Sequence, residues 1–130
     1  MSARPFFIDT DTASDDAVAM CMALRHPDIE VLGFTVVAGN VPLDQAVQNA
    51  LYTVELCGSS TPVYAGAPAP MLRELQTAQD VHGQDGFGDI GLDLAGRTPK
   101  PGWGPEVIVD TIRRSEEHTS ELQSQFRISY

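Results

Sequence analysis

Short apolar runs alternate with apolar stripes at helical spacing over the first half of the chain. The runs at residues 5–9, 29–37 and 62–65 contain bulky and β-branched side chains, which favour buried strands. The stripes at residues 14–25 and 43–54 recur with the period of an α-helix. Strand, helix, strand, helix and strand with short connections predict an α/β fold with an open, mostly parallel sheet and flanking helices.

Residues that start and stop helices mark the ends of both stripes. Ser14 is the predicted N-cap of the first helix, and Pro27 follows the end of that helix because proline lacks the N–H that a helix needs. Gly58 is expected to close the second helix, since glycine readily adopts the left-handed conformation that follows many helix ends.

The second half of the chain has a less regular pattern. Residues 66–104 are rich in glycine, proline and aspartate, which predicts a long functional loop or lid with one helical segment at residues 70–78. A further helix is predicted to open at Gly104, with apolar positions at Val107, Ile108 and Ile112.

The final residues differ in character from the rest. Residues 114–130 resemble the conceptual translation of a sequencing-adapter oligonucleotide. We therefore expect residues 1–113 to be native and residues 114–130 to be a non-native tail, in which His118 has no functional role. The alternative is a polar C-terminal helix, whose solvated face would carry Glu116, Glu117 and Glu121.

Composition and charge narrow the classes of function. The 130 residues are 42% hydrophobic and 20% charged, which fits one globular domain or a part of a larger one. The formal net charge of −10 argues against nucleic acids and anionic membranes as partners, whereas metal cations and neutral polar substrates remain possible ligands.

The sequence shows no signal-peptide core and no membrane-spanning run, so a cytoplasmic location is expected. Cys21 and Cys57 lack metal-ligand spacing and are expected to be reduced core thiols rather than metal ligands.

Four aspartates are crowded into eight residues where the first predicted strand gives way to the first helix. Asp9, Asp11, Asp15 and Asp16 repel one another, so the fold must separate them, protonate one or place a cation among them. Their hard oxygen atoms suit Ca²⁺ or Mg²⁺ better than Zn²⁺, which prefers Cys or His ligands. A purely structural alternative is that Asp15 and Asp16 complement the helix dipole and Asp9 is a solvated strand end.

Other polar residues stand near glycines in predicted loops. Gly39 and Asn40 follow the second strand, and ligands of parallel sheets gather at this end of the strands, so we expect them at the same edge as the aspartates. His82 lies in a glycine-rich segment, residues 81–88. The structural alternatives are a left-handed turn residue for Asn40 and an exposed loop histidine for His82.

Three segments in the same order resemble the motifs of the nucleoside hydrolases, the inosine-uridine preferring nucleoside N-ribohydrolases. Residues 9–17 match the family's Asp-x-Asp-Pro-Gly-x-Asp-Asp-Ala motif, except that Thr12 and Ala13 replace Pro-Gly. Residues 36–40 match a Val-Val-Ala-Gly-Asn segment, and residues 81–88 are similar to the family's His-Gly-x-Asp-Gly-Leu-Gly loop. The resemblance covers residues 5–113 and implies the Rossmann-like fold of that family, truncated after its N-terminal part.

The resemblance also implies roles for individual residues. Asp11 and Asp16 would be calcium ligands, and Asp11 would be the general base that takes a proton from the attacking water. Asp15 and Asn40 would bind ribose hydroxyls, and His82 would lie near the leaving base; Asp9 is expected to be structural.

The implied activity is calcium-dependent hydrolysis of nucleosides to ribose and free base, in purine and pyrimidine salvage. In this family the remaining calcium ligands and the acid that protonates the base follow the matched region. We therefore expect the full-length parent to be active and this chain to bind Ca²⁺ weakly without turnover. A homo-oligomer is one option for the parent, but the sequence does not determine its oligomeric state.

The replacement of Pro-Gly by Thr12-Ala13 raises a structural question, because glycine permits backbone dihedral angles that alanine resists. A reshaped loop there would shift the first helix and alter the proposed metal site. The structure of this turn therefore bears directly on the predicted chemistry.

Two other functions are consistent with parts of the sequence. Residues 8–12 also resemble the motif of haloacid-dehalogenase-like phosphohydrolases, with Asp9 as nucleophile and Asp11 as acid/base around Mg²⁺. A non-catalytic binding module or an incomplete fragment is the third possibility. Its carboxylates would have no partner.

Overall fold

Strands and helices alternate along the part of the chain that the computed structural model describes, which comprises residues 2–118 and 128–129. Side chains are described as far as Ser115. In chain order the elements are β1 (Arg4–Thr10), α1 (Ser14–Arg25), β2 (Ile29–Val36), α2 (Leu43–Leu56), β3 (Val63–Ala65), α3 (Gln79–His82), α4 (Gly104–His118) and β4 (Ile128–Ser129).

The described strands form one sheet in the order β3-β2-β1-β4, and every pairing is parallel. This confirms the predicted open parallel sheet. Asp9 at the end of β1 stands opposite Thr35 at the end of β2. The carboxyl ends of these two strands therefore lie at the same edge, as expected for strands joined by helical connections.

The two faces of β2 meet different helices. Phe34 and Val36 are fully buried in a core cluster with Met20 of α1 and with Ala46 and Ala50 of α2. Successive side chains of a strand point to opposite faces, so Thr35 faces the other way. A Cβ atom on Gly104 would lie 3.2 Å from Thr35, which places the start of α4 against that second face. The sheet is thus covered on both faces, which explains the nearly continuous apolar run of β2.

Ser14 does not cap α1, contrary to the sequence-based prediction. It is the first residue of the helix, and the N-cap position is Ala13, whose side chain cannot accept a hydrogen bond. The Ser14 N–H instead donates to the carbonyl oxygen of Gly86 at 3.0 Å. A tertiary contact with a distant loop therefore satisfies a helix-end donor that a local cap usually satisfies.

The predicted helix at residues 70–78 is wrong, because that segment consists of bends and irregular structure. The side chains of Met71 and Leu72 are 96% and 98% exposed, so they give a helix no apolar face to bury. The only turns of helix in the described part of the long loop are those of α3. The rest of the prediction, a long irregular connection between residues 66 and 104, is confirmed.

The structure describes only part of the predicted non-native tail, residues 114–130. Helix α4 continues past Arg113 to His118, while residues 119–127 and Tyr130, including Glu121, lie outside the described residues. The non-native origin of residues 114–130 stays a prediction. No helix in the described part of the chain has the length and apolar character needed to cross a membrane.

Candidate functional site

The turn between β1 and α1 brings Asp11 and Asp16 together, and each is fixed by a hydrogen bond. One carboxylate oxygen of Asp11, Oδ2, accepts the backbone N–H of Asn40 at 3.0 Å. Oδ2 of Asp16 accepts the hydroxyl of Thr10 at 3.0 Å. The turn thus connects two acidic side chains to the ends of both central strands.

The two carboxyl groups are close enough to perturb each other. Burial raises the pKa of Asp16 to about 6, and the contact with the Asp11 carboxyl group and its negative charge act in the same direction. The hydrogen bond from Thr10 opposes this shift, and the charge of Asp15 adds to it. A raised carboxyl pKa means that the pair is poor at holding two negative charges without a cation or a proton.

The absence of a side chain at Gly39 makes room for the Asp11 carboxylate. A Cβ atom at this position would overlap the Asp11 side chain, coming within 2.7 Å of its Cβ atom. Any side chain at position 39 therefore displaces the carboxylate. The sequence offered only a weak signal for this role, since a glycine after a strand is most often interpreted as a turn residue.

Asp9 is not part of the pair. Its Oδ1 atom accepts the hydroxyl of Thr35 at 2.6 Å, across the β1–β2 pairing. Burial raises the pKa of Asp9, the Thr35 hydrogen bond lowers it, and the charge of Asp11 raises it. Its carboxylate ties the ends of the two strands together, in line with the structural role expected for it.

The Thr12-Ala13 segment fits the turn without backbone strain. Both residues are fully buried. Ala13 has a φ of −117° and a ψ of −166°, an extended conformation that alanine adopts freely. The glycine of the family motif is therefore not needed here, and the turn is not distorted by its absence.

Asn49 of α2 contacts the turn between β1 and α1. The sequence analysis did not single out this residue. It is fully buried, and its Nδ2 group donates to the carbonyl oxygens of Thr12 at 3.0 Å and Asp85 at 2.8 Å. It therefore joins the aspartate turn to the His82 loop. The available signal was an amide side chain inside the apolar stripe of α2, where a polar group must find buried partners.

The third motif is packed against the first two. The Ser14 N–H donates to the carbonyl oxygen of Gly86 in the third motif. Ala78, just before this motif, donates its N–H to the carbonyl oxygen of Asn40 at 2.8 Å and accepts the N–H of His82 at 2.9 Å, so it joins the second and third motifs. Asp85 shapes the loop, since its Oδ1 atom accepts the N–H groups of Phe87 and Asp89 at 2.7 and 3.1 Å. All three segments that carry the predicted site residues thus meet at one edge of the sheet.

The predicted substrate-binding residues differ in exposure. Asp15 is exposed on the first turn of α1, whereas Asn40 and His82 are half-buried. Asn40 does not have the positive φ expected of a left-handed turn residue, because Asp89 is the only non-glycine residue with positive φ among those described. The side chains of these three residues make no hydrogen bond to another described residue.

The donor set of the pair suits a hard cation in part. Carboxylate oxygens are the ligands that Ca²⁺ and Mg²⁺ prefer, and Asp11 and Asp16 supply them from one turn. Within the described residues, no group of three or more His, Cys, Asp or Glu side chains converges as a metal site. Ca²⁺ takes six to eight oxygen ligands, so these two carboxylates alone could supply only part of a calcium site.

Known proteins share both the sequence and the fold of this chain. The family model of the inosine-uridine preferring nucleoside hydrolases matches residues 6–123. An uncharacterized protein of Schizosaccharomyces pombe is 43% identical over 113 residues, which cover 86% of this chain and 36% of that protein. The pyrimidine-specific ribonucleoside hydrolase RihB of Escherichia coli is 36% identical over 116 residues, covering 89% of this chain and 37% of RihB. The chain therefore spans little more than a third of these relatives.

Solved structures agree with the sequence matches. The plant nucleoside hydrolase PpNRh1 superposes with a TM-score of 0.81 at 32% identity, covering 97% of this chain and 39% of that one. An inosine-guanosine nucleoside hydrolase superposes with a TM-score of 0.76 at 30% identity, covering 97% of this chain and 37% of that one. From the family match and the shared fold, the chain belongs to the inosine-uridine preferring nucleoside hydrolase family.

Proposed function

We propose that the full-length protein to which this chain corresponds hydrolyses the N-glycosidic bond of nucleosides, with a calcium ion bound in part by Asp11 and Asp16. The observation that carries this proposal is the convergence of these two carboxylates in the first family motif. The fixed position of Asp11, between the Asn40 N–H and the surface of Gly39, supports it further.

The resemblance to the family motif is the reason for proposing calcium, and the carboxylates of Asp11 and Asp16 are compatible with it. The pair offers only oxygen donors, and burial together with the nearby charge of Asp11 raises the pKa of Asp16. A bound divalent cation would lower the pKa of a water molecule in its coordination shell. The remaining ligands must come from residues that follow the matched region.

In this proposal Asp11 acts as the general base. Its Oδ2 atom is engaged by Asn40, which leaves Oδ1 to accept a proton from water. The hydroxyl group of that water forms the new bond to C1′ of the sugar, and the C–N bond breaks with its electron pair going to the base. The proton that the departing base needs comes from another group, which the residues assigned here do not supply.

Asn40, Asp15 and His82 are suited to contact the substrate. The backbone N–H and carbonyl oxygen of Asn40 bond to Asp11 and Ala78. Its side-chain amide makes no hydrogen bond to another described residue, so it is available for a ligand. The exposed carboxylate of Asp15 can accept hydrogen bonds from sugar hydroxyls. Together such contacts orient C1′ toward the attacking water.

The base preference is left open by the proposal. RihB is named as pyrimidine-specific, while one structural neighbour is an inosine-guanosine nucleoside hydrolase. The shared substrate class is nucleosides, and we limit the proposal to that class. The cytoplasmic location and the homo-oligomer of the parent also stay predictions.

Calorimetry on the 130-residue chain tests the metal site. We expect weak Ca²⁺ binding that falls at least tenfold in both Asp11→Asn and Asp16→Asn, since each variant removes a charged ligand. Asp44→Asn is the matched control, because Asp44 is an exposed acid in the first turn of another helix. Equal Ca²⁺ binding in all four proteins would contradict the proposed ligands.

Ribose release from inosine and uridine tests the reaction in a protein expressed from the complete reading frame. Asp11→Asn is expected to lower kcat by about 10³, in the range for loss of a general base. The 130-residue chain should release no measurable ribose. Phosphate-monoester hydrolysis that needs Mg²⁺ and is lost in Asp9→Asn would instead favour the phosphohydrolase alternative, and binding without turnover by the complete protein would favour a binding module.

A further inference from the structure

The two cysteines of the chain form a close pair, although 36 residues separate them in sequence. The Sγ atoms of Cys21 in α1 and Cys57 at the end of α2 are 3.1 Å apart, and the Cys57 thiol donates a hydrogen bond to Cys21. Both residues are half-buried and carry free thiols. The free thiols agree with the expectation of reduced cysteines. Their spacing in sequence did not indicate that the packing of α1 on α2 would bring them into contact.

The backbone fixes the position of Cys57. This residue is the C-cap of α2, and its N–H donates to the carbonyl oxygen of Thr53 at 3.1 Å. Gly58 follows in the left-handed conformation, with a φ of +67°, and ends the helix. The thiol is thus held at a defined helix end opposite the middle of α1, which is the kind of placement that favours reaction between two groups over reaction with other molecules.

We propose that Cys21 and Cys57 are a redox site that forms a reversible intramolecular disulfide bond between α1 and α2. A covalent S–S bond is about 2.05 Å long, so the sulfur atoms must approach by about 1 Å, a movement within the reach of side-chain rotation. This inference is independent of the proposed hydrolase activity, since neither cysteine takes part in the reaction.

A low-molecular-weight disulfide such as oxidised glutathione is the oxidant. The thiolate of one cysteine attacks a sulfur of the reagent, forming a mixed disulfide and releasing one reduced thiol. The second cysteine then attacks the mixed disulfide, forms the Cys21–Cys57 bond and releases the second reduced thiol. The protein loses two protons and two electrons in all, and the reagent gains them.

Small reagents can reach the pair from the surface. Cys21 lines an open groove of about 440 Å³ between α1 and α2, next to the exposed side chains of Val18 and Met22. Burial and the hydrogen bond with Cys57 raise the pKa of Cys21 to about 11, although the charge of Arg25 opposes this. The Cys21 thiol is therefore protonated at neutral pH and reacts slowly as the attacking group.

The bond would connect the two helices that build the candidate site. Helix α1 carries Asp16 in its first turn, and α2 holds the preceding turn through Asn49. Oxidation should therefore stabilise the arrangement of α1 on α2. We expect the oxidised chain to melt on the order of 10 °C above the reduced chain, from the usual stabilisation by a disulfide of this loop length in a small domain.

Redox titration in glutathione buffers tests the proposal on the whole chain. Oxidised protein is digested without reduction, and the Cys21–Cys57 peptide pair is quantified by mass spectrometry. We expect the effective concentration of one thiol toward the other to be at least roughly tenfold higher in native buffer than in concentrated urea, where only chain flexibility brings them together.

Single variants supply the matched controls. Cys21→Ser and Cys57→Ser each keep one thiol, so we expect a mixed disulfide with glutathione, no internal cross-link and no rise in melting temperature on oxidation. Equal effective concentrations with and without urea would overturn the proposal. A wild-type chain that yields only mixed disulfides or disulfide-linked dimers would overturn it as well.

Discussion

Helices α1 and α2 pack side by side on the same face of the sheet, yet they are held there in different ways. Six residues of α2 are buried, including the polar Asn49 and Thr53. In α1 only Met20 is buried, while Val18 and Met22 are 61% and 69% exposed. Apolar burial therefore anchors α2 along its length, whereas α1 depends on Met20, on the partly buried Leu24 and on polar contacts at its first turn.

This difference concerns function because Asp15 and Asp16 lie on α1. The helix with the weaker core contact carries the acidic residues, and α2 fixes the turn before it through Asn49. Movement of α1 would change the separation of the Asp11 and Asp16 carboxylates. The candidate site thus depends on α2 for support, even though α2 contributes none of the predicted metal ligands.

The largest expected effect comes from removing the one buried side chain of α1. Met20 is 1% exposed, so Met20→Ala should lower the free energy of unfolding by about 2–5 kcal/mol. Met22→Ala, two positions along the same helix, should change it by less than about 0.5 kcal/mol. Urea denaturation of both variants measures the contrast. Similar losses would show that α1 is not held by Met20.

Removal of the Asn49 amide should have the next largest effect. Asn49→Ala leaves the carbonyl oxygens of Thr12 and Asp85 without their buried donor, which costs about 2–3 kcal/mol of unfolding free energy. Gln45→Ala is the matched control on the same helix, since it removes only the hydrogen bond to the side-chain Oδ1 atom of Asn49 and should cost less than about 1 kcal/mol. Denaturation midpoints compare the two variants, and the reverse order would exclude Asn49 as the support of the turn.

Gly39→Ala tests whether the position of Asp11 depends on the absence of a side chain opposite it. The added Cβ atom overlaps the Asp11 carboxylate, so Ca²⁺ affinity should fall at least tenfold, or about 1.4 kcal/mol. The stability cost should shrink in the background of Asp11→Gly, where the overlapping atoms are gone. Calorimetry and denaturation of the four proteins in this cycle provide the measurement, and purely additive effects would rule out the proposed contact.

The smallest effect is the pH dependence that arises from Asp16. Its pKa is raised in the folded state from the ordinary value of 3.8 to about 6, so the folded chain binds more protons than the unfolded chain between these values. The free energy of unfolding should therefore increase as the pH is lowered from about 6 toward 4. Because Asp16 is partly exposed, screening reduces the effect to about 1 kcal/mol.

The control for this pH dependence is Asp16→Asn, which keeps the size of the side chain and removes its titration. Denaturation at a series of pH values between about 4 and 7 should show a smaller gain in the variant than in the wild type. Identical profiles would mean that folding does not raise the pKa of Asp16. Saturating Ca²⁺ should also flatten the wild-type profile, because the ion favours the charged form.

The sequence-based predictions succeeded where structure depends on neighbouring residues and failed where it depends on contacts between distant ones. The strands β1, β2 and β3 and the helices α1, α2 and α4 were predicted because apolar periodicity is a local property that burial enforces, whereas β4 was not predicted. The N-cap at Ser14 and the helix at residues 70–78 were wrong. In the first case a contact with Gly86 replaces the cap, and in the second no surface buries the exposed Met71 and Leu72.

The sequence by itself determined the parallel α/β fold, the family motifs and the presence of the acidic turn, since each depends on the order and spacing of nearby residues. Only the tertiary structure decided which groups meet. The carboxylate of Asp11 lies on Gly39, Asn49 bridges Thr12 and Asp85, and the thiols of Cys21 and Cys57 touch, although each contact joins residues far apart along the chain. Such contacts are set by how helices and loops pack, a property that no local pattern encodes.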